Sequence, residues 1–293
     1  MSSRPRLAVA VGDPRGIGPE IVRKALRQPL DADVRLIGGW GAREADDGAT
    51  RNELEAGRAA AQAIEAAARL ALSGEADAIV TGPVSKRALN AAGYGFPGVT
   101  EFLAHLAGDV PVAMMLATGR LRVVLVTTHL PLRDVVASVT TERVIKAGRI
   151  TTDALKRWWG IATPRLAVCA LNPHAGEGGL FGDEDERVLR PAAQALDAAG
   201  PLPADTVFVK ALRGEFDAVL APYHDVGMTA VKVSGFGTGV NVTLGLPFIR
   251  TAPDHGTAFD IAGKGIADAG SMRAALELAV QLAGARGGAP VSA

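Results

Sequence analysis

The sequence contains little cysteine, few aromatic side chains and no excess of charge of either sign. Its single cysteine, Cys169, excludes an intrachain disulfide framework and every zinc or iron–sulfur site built on several cysteines. Aromatic residues make up only 4% of the chain, too few for a base-stacking nucleic-acid platform. Lys and Arg number 31, as do Asp and Glu, and this balance argues against a nucleic-acid binder. Any bound metal must therefore be held by His, Asp or Glu.

Long apolar runs are also missing. None approaches the roughly 18 residues that a membrane helix requires, and the apolar stretch at residues 7–11 is too short for the core of a signal peptide. We therefore expect a cytoplasmic protein. The 48% of hydrophobic residues is ample for a core, and the length of 293 residues suits one large domain or two of ordinary size.

Short β-branched runs alternate with longer helical patterns, which indicates an α/β protein with largely parallel strands. Strands are predicted at residues 7–11, 34–37, 78–80, 113–116, 122–127, 165–170 and 218–221. Helices are predicted at residues 19–27, 52–73, 101–106, 141–159, 183–199 and 271–282. The clearest helix begins at Asn52, because Asn52 and Glu55 have the spacing of a capping box.

Three of the five histidines directly follow a predicted strand. They are His129, His174 and His224. The carboxyl ends of parallel strands share one edge of a sheet, where ligands bind, so these imidazoles could converge on one divalent cation. Each could equally be an ordinary hydrogen-bonded loop residue. Asp225 and Asn172 are the expected hydrogen-bond partners that would orient the imidazoles.

A second group of residues suits an anionic ligand. Lys232, Asn241 and Arg250 surround a glycine cluster at residues 235–239. A set of cations with an amide suits a phosphate or carboxylate, and Arg can bind such a group through two parallel hydrogen bonds. Further along, small residues between His255 and Asp260 allow the backbone to approach a flat ligand closely.

In chain order, the motifs GDPRGIGPE, TGPVSKRALN, TEF, TTHLPLRD, LNPHAGEGG, YHDVG, GVN, GLPFIRT and DHGTAFDIAGKG resemble the 4-hydroxythreonine-4-phosphate dehydrogenase family of vitamin B6 biosynthesis. The resemblance extends from about Leu7 to Met272. The last motif also resembles the NAD-binding loop of isopropylmalate and isocitrate dehydrogenases. Neither a GxGxxG fingerprint nor a P-loop is present.

The resemblance implies a three-layer α/β/α fold of the isocitrate/isopropylmalate dehydrogenase type, with an active-site cleft between two domains. We expect residues 1–97 and 246–293 to form the first domain, with part of the cofactor site. Residues 98–245 would form the second domain, with the metal and substrate residues and the interface of a homodimer.

The resemblance also implies NAD- or NADP-dependent oxidation of 4-phosphohydroxy-L-threonine to a 3-keto acid, which decarboxylates to 3-amino-2-oxopropyl phosphate. One divalent metal, namely zinc, magnesium or cobalt, would polarise the hydroxyl as a Lewis acid. The residues that this resemblance assigns are, for the metal, His129, His174 and His224; for the substrate, Thr100, Lys232, Asn241 and Arg250; for catalysis, Lys232 and Asp225; and for the cofactor, His255, Gly256, Ala258 and Asp260.

The chain departs from the family pattern at two places. The family has histidine where this chain has Val99, and the segment between Ile37 and Asn52 is short. Loss of a hydrogen-bonding group at a substrate contact changes discrimination strongly. The substrate could therefore instead be phosphorylated threonate or erythronate, or a cyclic diol carboxylate. Two different classes of protein also stay open: a phosphate acyltransferase on a related fold, and a binding protein that has lost turnover.

Overall fold

The computed structural model describes residues 4–39 and 52–285. Positions 40–51, which belong to the short segment between Ile37 and Asn52, and the last residues of the chain lie outside the described residues. Within the described part, the chain forms two compact units, one of residues 4–111 with 237–285 and the other of residues 112–236. The boundaries predicted from the sequence were 97/98 and 245/246.

The first unit is an α/β layer structure with a mostly parallel sheet. Its elements are β1 (Arg6–Ala10), α1 (Gly18–Ala25), β2 (Asp33–Ile37), α2 (Glu53–Leu72), β3 (Ala78–Thr81), α3 (Lys86–Ala91), α4 (Val99–Leu106), β9 (Val240–Leu244), β10 (Ile249–Pro253) and α10 (Gly270–Ala285). The strands lie in the order β2-β1-β3-β10-β9, and among these described pairs only β9 and β10 run antiparallel.

The second unit also combines a sheet with helices. Its elements are β4 (Ala113–Thr118), β5 (Leu121–Leu125), α5 (Leu132–Ser138), α6 (Thr141–Trp159), β6 (Leu166–Cys169), a π-helical turn (Asp185–Leu189), α7 (Arg190–Ala195), β7 (Ala199–Leu202), α8 (Ala204–Leu212), β8 (Ala218–Ala221) and α9 (His224–Ser234). The strands lie in the order β4-β5-β8-β6-β7, and among the described pairs of this unit only β4 and β5 run antiparallel.

The two unit boundaries follow from helix packing and strand pairing. Helix α4 packs against α2, and β9 pairs with β10, so both belong to the first unit. Helix α2 has its predicted cap, since the Asn52 side chain accepts a hydrogen bond from the Glu55 N–H. Its Gly57 allows α3 to come close, because a Cβ there would overlap the Ala88 carbonyl oxygen.

Strands are buried on both faces where helices cover them. β1, β3, β5, β6 and β8 consist almost entirely of buried aliphatic residues, as expected for parallel strands between helix layers. Cys169 ends β6 with its thiol fully buried, and burial raises the pKa of that thiol to about 12.

Several predicted elements differ from those observed. Strands β7, β9 and β10 and helices α3, α5, α8 and α9 were not predicted. Strand β7 is short and contains Gly200 and Pro201. Because both residue types are unusual inside strands, the sequence pattern did not indicate one there. The helix predicted over residues 183–199 is instead a π-helical turn followed by α7, with Pro191 in the first turn of α7. In the described ranges, no helix combines the length with the hydropathy that a membrane crossing requires.

Candidate active site

Three histidines of the second unit follow neighbouring parallel strands. His129, His174 and His224 come after β5, β6 and β8 along the chain. In the sheet, β8 lies between β5 and β6 and is parallel to both. Because parallel strands end at the same edge of a sheet, the three histidines follow strands that finish side by side.

Two of these imidazoles are adjacent. The ring centroids of His129 and His224 are 5.4 Å apart, and Nδ1 of His224 lies 2.6 Å from Oδ1 of Asp225. A carboxylate only accepts, so Nδ1 of His224 donates and Nε2 keeps the lone pair that binds a metal. The partnership of Asp225 with His224 is as predicted, although His224 begins helix α9 rather than lying in a loop.

The third histidine lies on an unusual turn. Five consecutive residues, His174 to Gly178, have positive φ angles between 44° and 81°. Left-handed backbone costs a residue with a Cβ about 1–2 kcal/mol, and strain of this kind concentrates at functional sites. The His174 side chain is exposed, and its ring centroid lies 6.3 Å from that of Phe181.

Asn172 contacts the acidic segment at residues 183–186. Its Nδ2 donates to Oε2 of Glu184 at 2.8 Å, two residues before the left-handed turn that begins at His174. Its expected role in orienting an imidazole stays a prediction.

The donor set of the second unit fits a metal only in part. In the part of the single chain that the structure describes, no three His, Cys, Asp or Glu side chains come together as a metal site. His129 and His224 offer two imidazole ligands, the commonest protein donors for zinc and related ions. Remaining positions would be filled by water, substrate or a residue from another chain.

Arg250, on β10, is the centre of a polar cluster in the first unit. Its side chain is almost fully buried, and its Nε and Nη2 donate to Oγ1 of Thr81 at 3.1 and 2.6 Å. Its Nη1 donates to Oγ1 of Thr243 at 3.0 Å and to Oδ1 of Asn241 at 3.4 Å. These acceptors are all neutral. The structure therefore brings together Asn241 and Arg250, which the sequence placed in one set.

The charge of Arg250 is poorly compensated. Burial lowers the pKa of Arg250 to about 10, and the charge of Glu101 offsets part of that shift. At neutral pH the guanidinium still carries its charge, and a buried charge costs free energy unless an opposite charge pairs with it. A phosphate or carboxylate would supply that charge and can accept two hydrogen bonds from one guanidinium. The cluster is thus a candidate anion site.

The start of helix α4 borders this cluster. Oγ1 of Thr100 lies 3.4 Å from Oγ1 of Thr243, and both side chains are buried. Val99 is the first residue of α4, after Gly98 at the cap. Val99, where the resemblance to the family implies histidine, is therefore adjacent in sequence to a residue of the Arg250 cluster. Its side chain ends only in methyl groups.

Lys232 lies in the second unit, near the end of helix α9. Its Nζ is 5.9 Å from the ring centroid of Phe236, an exposed side chain. The predicted set of Lys232, Asn241 and Arg250 is thus divided between the two units.

The predicted cofactor loop is fixed to helix α1 within the first unit. The Ile17 N–H donates to the Thr257 carbonyl at 2.9 Å. Further on, the Glu20 carboxylate accepts from the N–H groups of Gly265 and Ala267 at 3.2 and 2.9 Å. The loop is therefore held at Thr257, and the segment that follows it is held at Gly265 and Ala267.

Within that loop, His255 has an unsatisfied buried nitrogen. Its Nδ1 lies 3.1 Å from the Gly256 carbonyl, while Nε2 is buried and has no hydrogen-bond partner among the residues that the structure describes. Ala258 has a φ of 41°, and Asp260 is exposed. An orphaned buried acceptor is costly, so Nε2 of His255 fits a ligand that donates a hydrogen bond. These residues fit a nicotinamide cofactor.

Sequence reasoning missed Thr81 and Thr243 as members of the Arg250 cluster. Thr81 opens the TGPVSK motif, which contributes to the family resemblance but to which no site residue was assigned. The motif's place directly after a buried strand was the available signal. Thr243 gave no signal, since it lies in a strand that was not predicted.

The fold of this chain is shared with solved structures. A solved β-decarboxylating dehydrogenase from Thermococcus kodakarensis superposes with a TM-score of 0.53 at 17% identity, covering 94% of this chain and 82% of that one. At this identity the likeness concerns the fold alone. The predicted α/β fold of the isocitrate/isopropylmalate dehydrogenase type is confirmed.

The family itself is set by closer relatives. The sequence model described as "Pyridoxal phosphate biosynthetic protein PdxA" matches residues 33–279. A relative from Geobacter metallireducens named 4-hydroxythreonine-4-phosphate dehydrogenase is 45% identical over 340 residues, covering 99% of both chains. This chain belongs to that family, and it is a dehydrogenase.

Two further comparisons bear on the substrate. A solved 4-hydroxythreonine-4-phosphate dehydrogenase from Klebsiella pneumoniae has a TM-score of 0.85 and 38% identity, covering 96% of this chain and 100% of that one. A relative from Bradyrhizobium diazoefficiens named putative D-threonate 4-phosphate dehydrogenase is 45% identical, covering 97% of this chain and 98% of that one. The family thus contains relatives named for different substrates.

Proposed function

We propose that this enzyme oxidises the 3-hydroxyl of 4-phosphohydroxy-L-threonine and transfers the hydride to NAD or NADP. The resulting 3-keto acid loses carbon dioxide to give 3-amino-2-oxopropyl phosphate, in vitamin B6 biosynthesis. The names of the relatives supply the substrate. The observation that carries the proposal is the buried cation of Arg250 with neutral partners, since a phosphorylated acid would neutralise it.

In the second unit, His129 and His224 bind a divalent metal, and His174 is the third imidazole ligand. When bound, a divalent ion supplies Lewis-acid polarisation of the oxygen being oxidised. Asp225 accepts a hydrogen bond from the Nδ1–H group of His224 and so keeps Nε2 free as a ligand. Imidazole ligands favour zinc or cobalt over magnesium.

Four residues are proposed to bind the substrate. Arg250 and Asn241 bind an anionic group of the substrate, and Thr100 contacts the substrate beside them. Lys232 adds a second cation, and its Nζ moves a proton to or from the reacting oxygen.

The loop at residues 255–260 binds the nicotinamide cofactor. Nε2 of His255 gains its missing hydrogen bond, while Gly256 and Ala258 let the cofactor approach the backbone closely. The carboxylate of Asp260 accepts hydrogen bonds from ribose hydroxyls and repels a 2′-phosphate. That chemistry favours NAD over NADP.

The active enzyme is a homodimer, in which His174 of one copy completes the metal site of the other. Support comes from the second unit, which exposes several large apolar side chains. Leu132, Leu180, Val233 and Phe236 are 71%, 73%, 83% and 86% exposed. Exposed apolar side chains of this size are typical of protein interfaces when they cluster.

A second candidate substrate is a related phosphorylated hydroxy acid such as 4-phosphothreonate. Val99 favours it, because valine cannot form the hydrogen bond that the family histidine offers to a polar group. A relative named for D-threonate 4-phosphate supports the same candidate.

The test is a nicotinamide-reduction assay with each substrate, after chelation and after re-addition of zinc, cobalt or magnesium. We expect metal-dependent reduction with at least one phosphorylated substrate, and its identity separates the two candidates. His174→Ala should abolish metal binding and turnover. A fully active His174→Ala variant, or metal-independent turnover, would contradict the proposal.

A further inference from the structure

The turn that carries His174 is held by a buried carboxylate. Asp185 is fully buried. Its Oδ1 accepts from the Leu171 N–H at 2.8 Å, and its Oδ2 accepts from the Asn172 N–H at 3.0 Å. These are the last two N–H groups before Pro173, which has none, and before the left-handed run that begins at His174. One side chain thus fixes both peptide groups at the entry to the turn.

A second contact joins the same two segments. Oε2 of Glu184 accepts from Nδ2 of Asn172 at 2.8 Å. The packing around it is tight, because a Cβ at Gly176 would lie 2.8 Å from the Gly182 carbonyl oxygen. The Phe181 N–H donates to the Gly176 carbonyl at 3.1 Å. The turn therefore packs closely against Gly182, Glu184 and Asp185.

Left-handed backbone at His174, Ala175 and Glu177 persists only where surrounding contacts over-determine it. Asp185 provides such contacts. It begins the π-helical turn Asp185–Leu189, a helical irregularity that often occurs at functional sites. The π-helical turn directs the buried Asp185 carboxylate at the His174 turn. Its hydrogen bonds satisfy two backbone N–H groups, which would cost free energy if they were buried without acceptors.

We infer that Asp185 is a positioning residue for His174: its carboxylate clamps the Leu171 and Asn172 N–H groups and so fixes the direction of the exposed imidazole. This inference rests on the proposed role of His174 as a metal ligand. Asp185 touches neither metal nor substrate. It acts by restricting the backbone that carries the His174 imidazole, as supporting residues of metal sites do.

The decisive substitution is Asp185→Asn, which keeps the shape but replaces one acceptor oxygen with an NH₂ donor. One of the two backbone N–H groups then loses its acceptor. The matched control is Asp183→Asn, the same chemical change two residues earlier, on an exposed side chain that faces Arg187. Binding is measured by titrating each metal-free protein with Co²⁺ and recording its visible absorption, alongside the melting temperature without metal.

We expect Asp185→Asn to weaken Co²⁺ binding by about 10- to 100-fold and to alter the shape of the visible spectrum. Asp183→Asn should match the unsubstituted protein. The His174→Ala variant tests the metal role of His174 separately from the positioning role of Asp185. If His174→Ala keeps the Co²⁺ affinity and spectrum, the proposed metal role of His174 fails. If His174→Ala loses them while Asp185→Asn keeps both, the positioning role of Asp185 is overturned and the metal role stands. A lowered melting temperature with unchanged affinity and spectrum also overturns it.

Should Asp185→Asn fail to fold, Glu184→Gln decides, because it weakens only the half-buried contact to Asn172. A drop in Co²⁺ affinity of about threefold or more supports the clamp, and unsubstituted affinity contradicts it.

Discussion

Arg250 donates two hydrogen bonds, from Nε and Nη2, to the single hydroxyl oxygen of Thr81. The two residues lie on the neighbouring strands β10 and β3 and are 169 positions apart in the chain. Thr81 therefore holds one edge of the guanidinium, while Nη1 faces Thr243 and Asn241. The cation is oriented before any ligand arrives, which reduces the entropy lost on binding.

Arg250→Lys should lower kcat/KM by about 100-fold, equivalent to ~2.7 kcal/mol. Lysine keeps the charge but cannot present the planar fork that binds phosphate or carboxylate through two bonds. Steady-state kinetics measure the effect, and Arg87→Lys, an exposed ion-pair residue of the same unit, is the control. An equal loss of kcat/KM in both variants would show that Arg250 does not bind the substrate.

Phosphate should raise the melting temperature, and this effect should fade as the pH rises above about 10. The sign follows from the pKa of Arg250, which burial lowers to about 10. Below that pH the folded protein holds a costly charge that a bound anion relieves. Above it the neutral form predominates, that cost disappears, and the anion loses its partner. Differential scanning fluorimetry with Arg250→Met as control would measure it; a pH-independent stabilisation would contradict the assignment.

Asp225→Asn should weaken metal binding by about 10- to 100-fold, because the amide no longer fixes His224 in the tautomer with a free Nε2. Competition with a chromophoric chelator gives the affinity. His105→Ala removes an exposed histidine that also pairs with a carboxylate, that of Asp109, and should have no effect. A normal affinity in Asp225→Asn would show that the 2.6 Å contact does not govern the metal site.

Val99→His should raise kcat/KM for 4-phosphohydroxythreonine relative to 4-phosphothreonate by about 10-fold or more. The imidazole would restore a hydrogen-bonding group at the first residue of α4, next to Thr100. The ratio of kcat/KM values for the two substrates is the measurement, with Val99→Leu as a size control. An unchanged ratio in Val99→His would mean that Val99 does not govern substrate choice.

Val233→Asp should dissociate the proposed homodimer and weaken Co²⁺ binding in the same variant. The side chain is 83% exposed, so an aspartate there is harmless in a monomer but would be a buried charge in an interface. Light scattering after size exclusion gives the mass. Leu72→Asp, an apolar position 48% exposed in the first unit, is the control. If the Val233→Asp variant remains a dimer with intact Co²⁺ binding, the surface around Val233 is not the dimer interface.

The local chemistry of the site could be predicted to a large extent from the sequence. Parallel strands end at one edge, so histidines that follow such strands could be chosen without coordinates, and His129 and His224 are indeed adjacent. Arg250 and Asn241 also meet, because only eight residues and a strand reversal separate them.

The supporting contacts could not be predicted. Thr81 reaches Arg250 only because β3 and β10 pair across most of the chain's length, and no local pattern encodes that pairing. The left-handed run after Pro173 contains three residues with a Cβ. Such residues rarely adopt this conformation, so its cause is the tertiary contact with Asp185 rather than local preference.

The buried thiol of Cys169 can be used to measure local opening of the structure around it. A thiol with a pKa of about 12 that solvent does not reach reacts with alkylating reagents only after strand β6 opens. No other cysteine competes for the label. The rate of alkylation, followed by mass spectrometry, would therefore measure how often strand β6, which leads directly into the His174 turn, opens. Repeating the measurement with metal or substrate would show which ligand slows this opening.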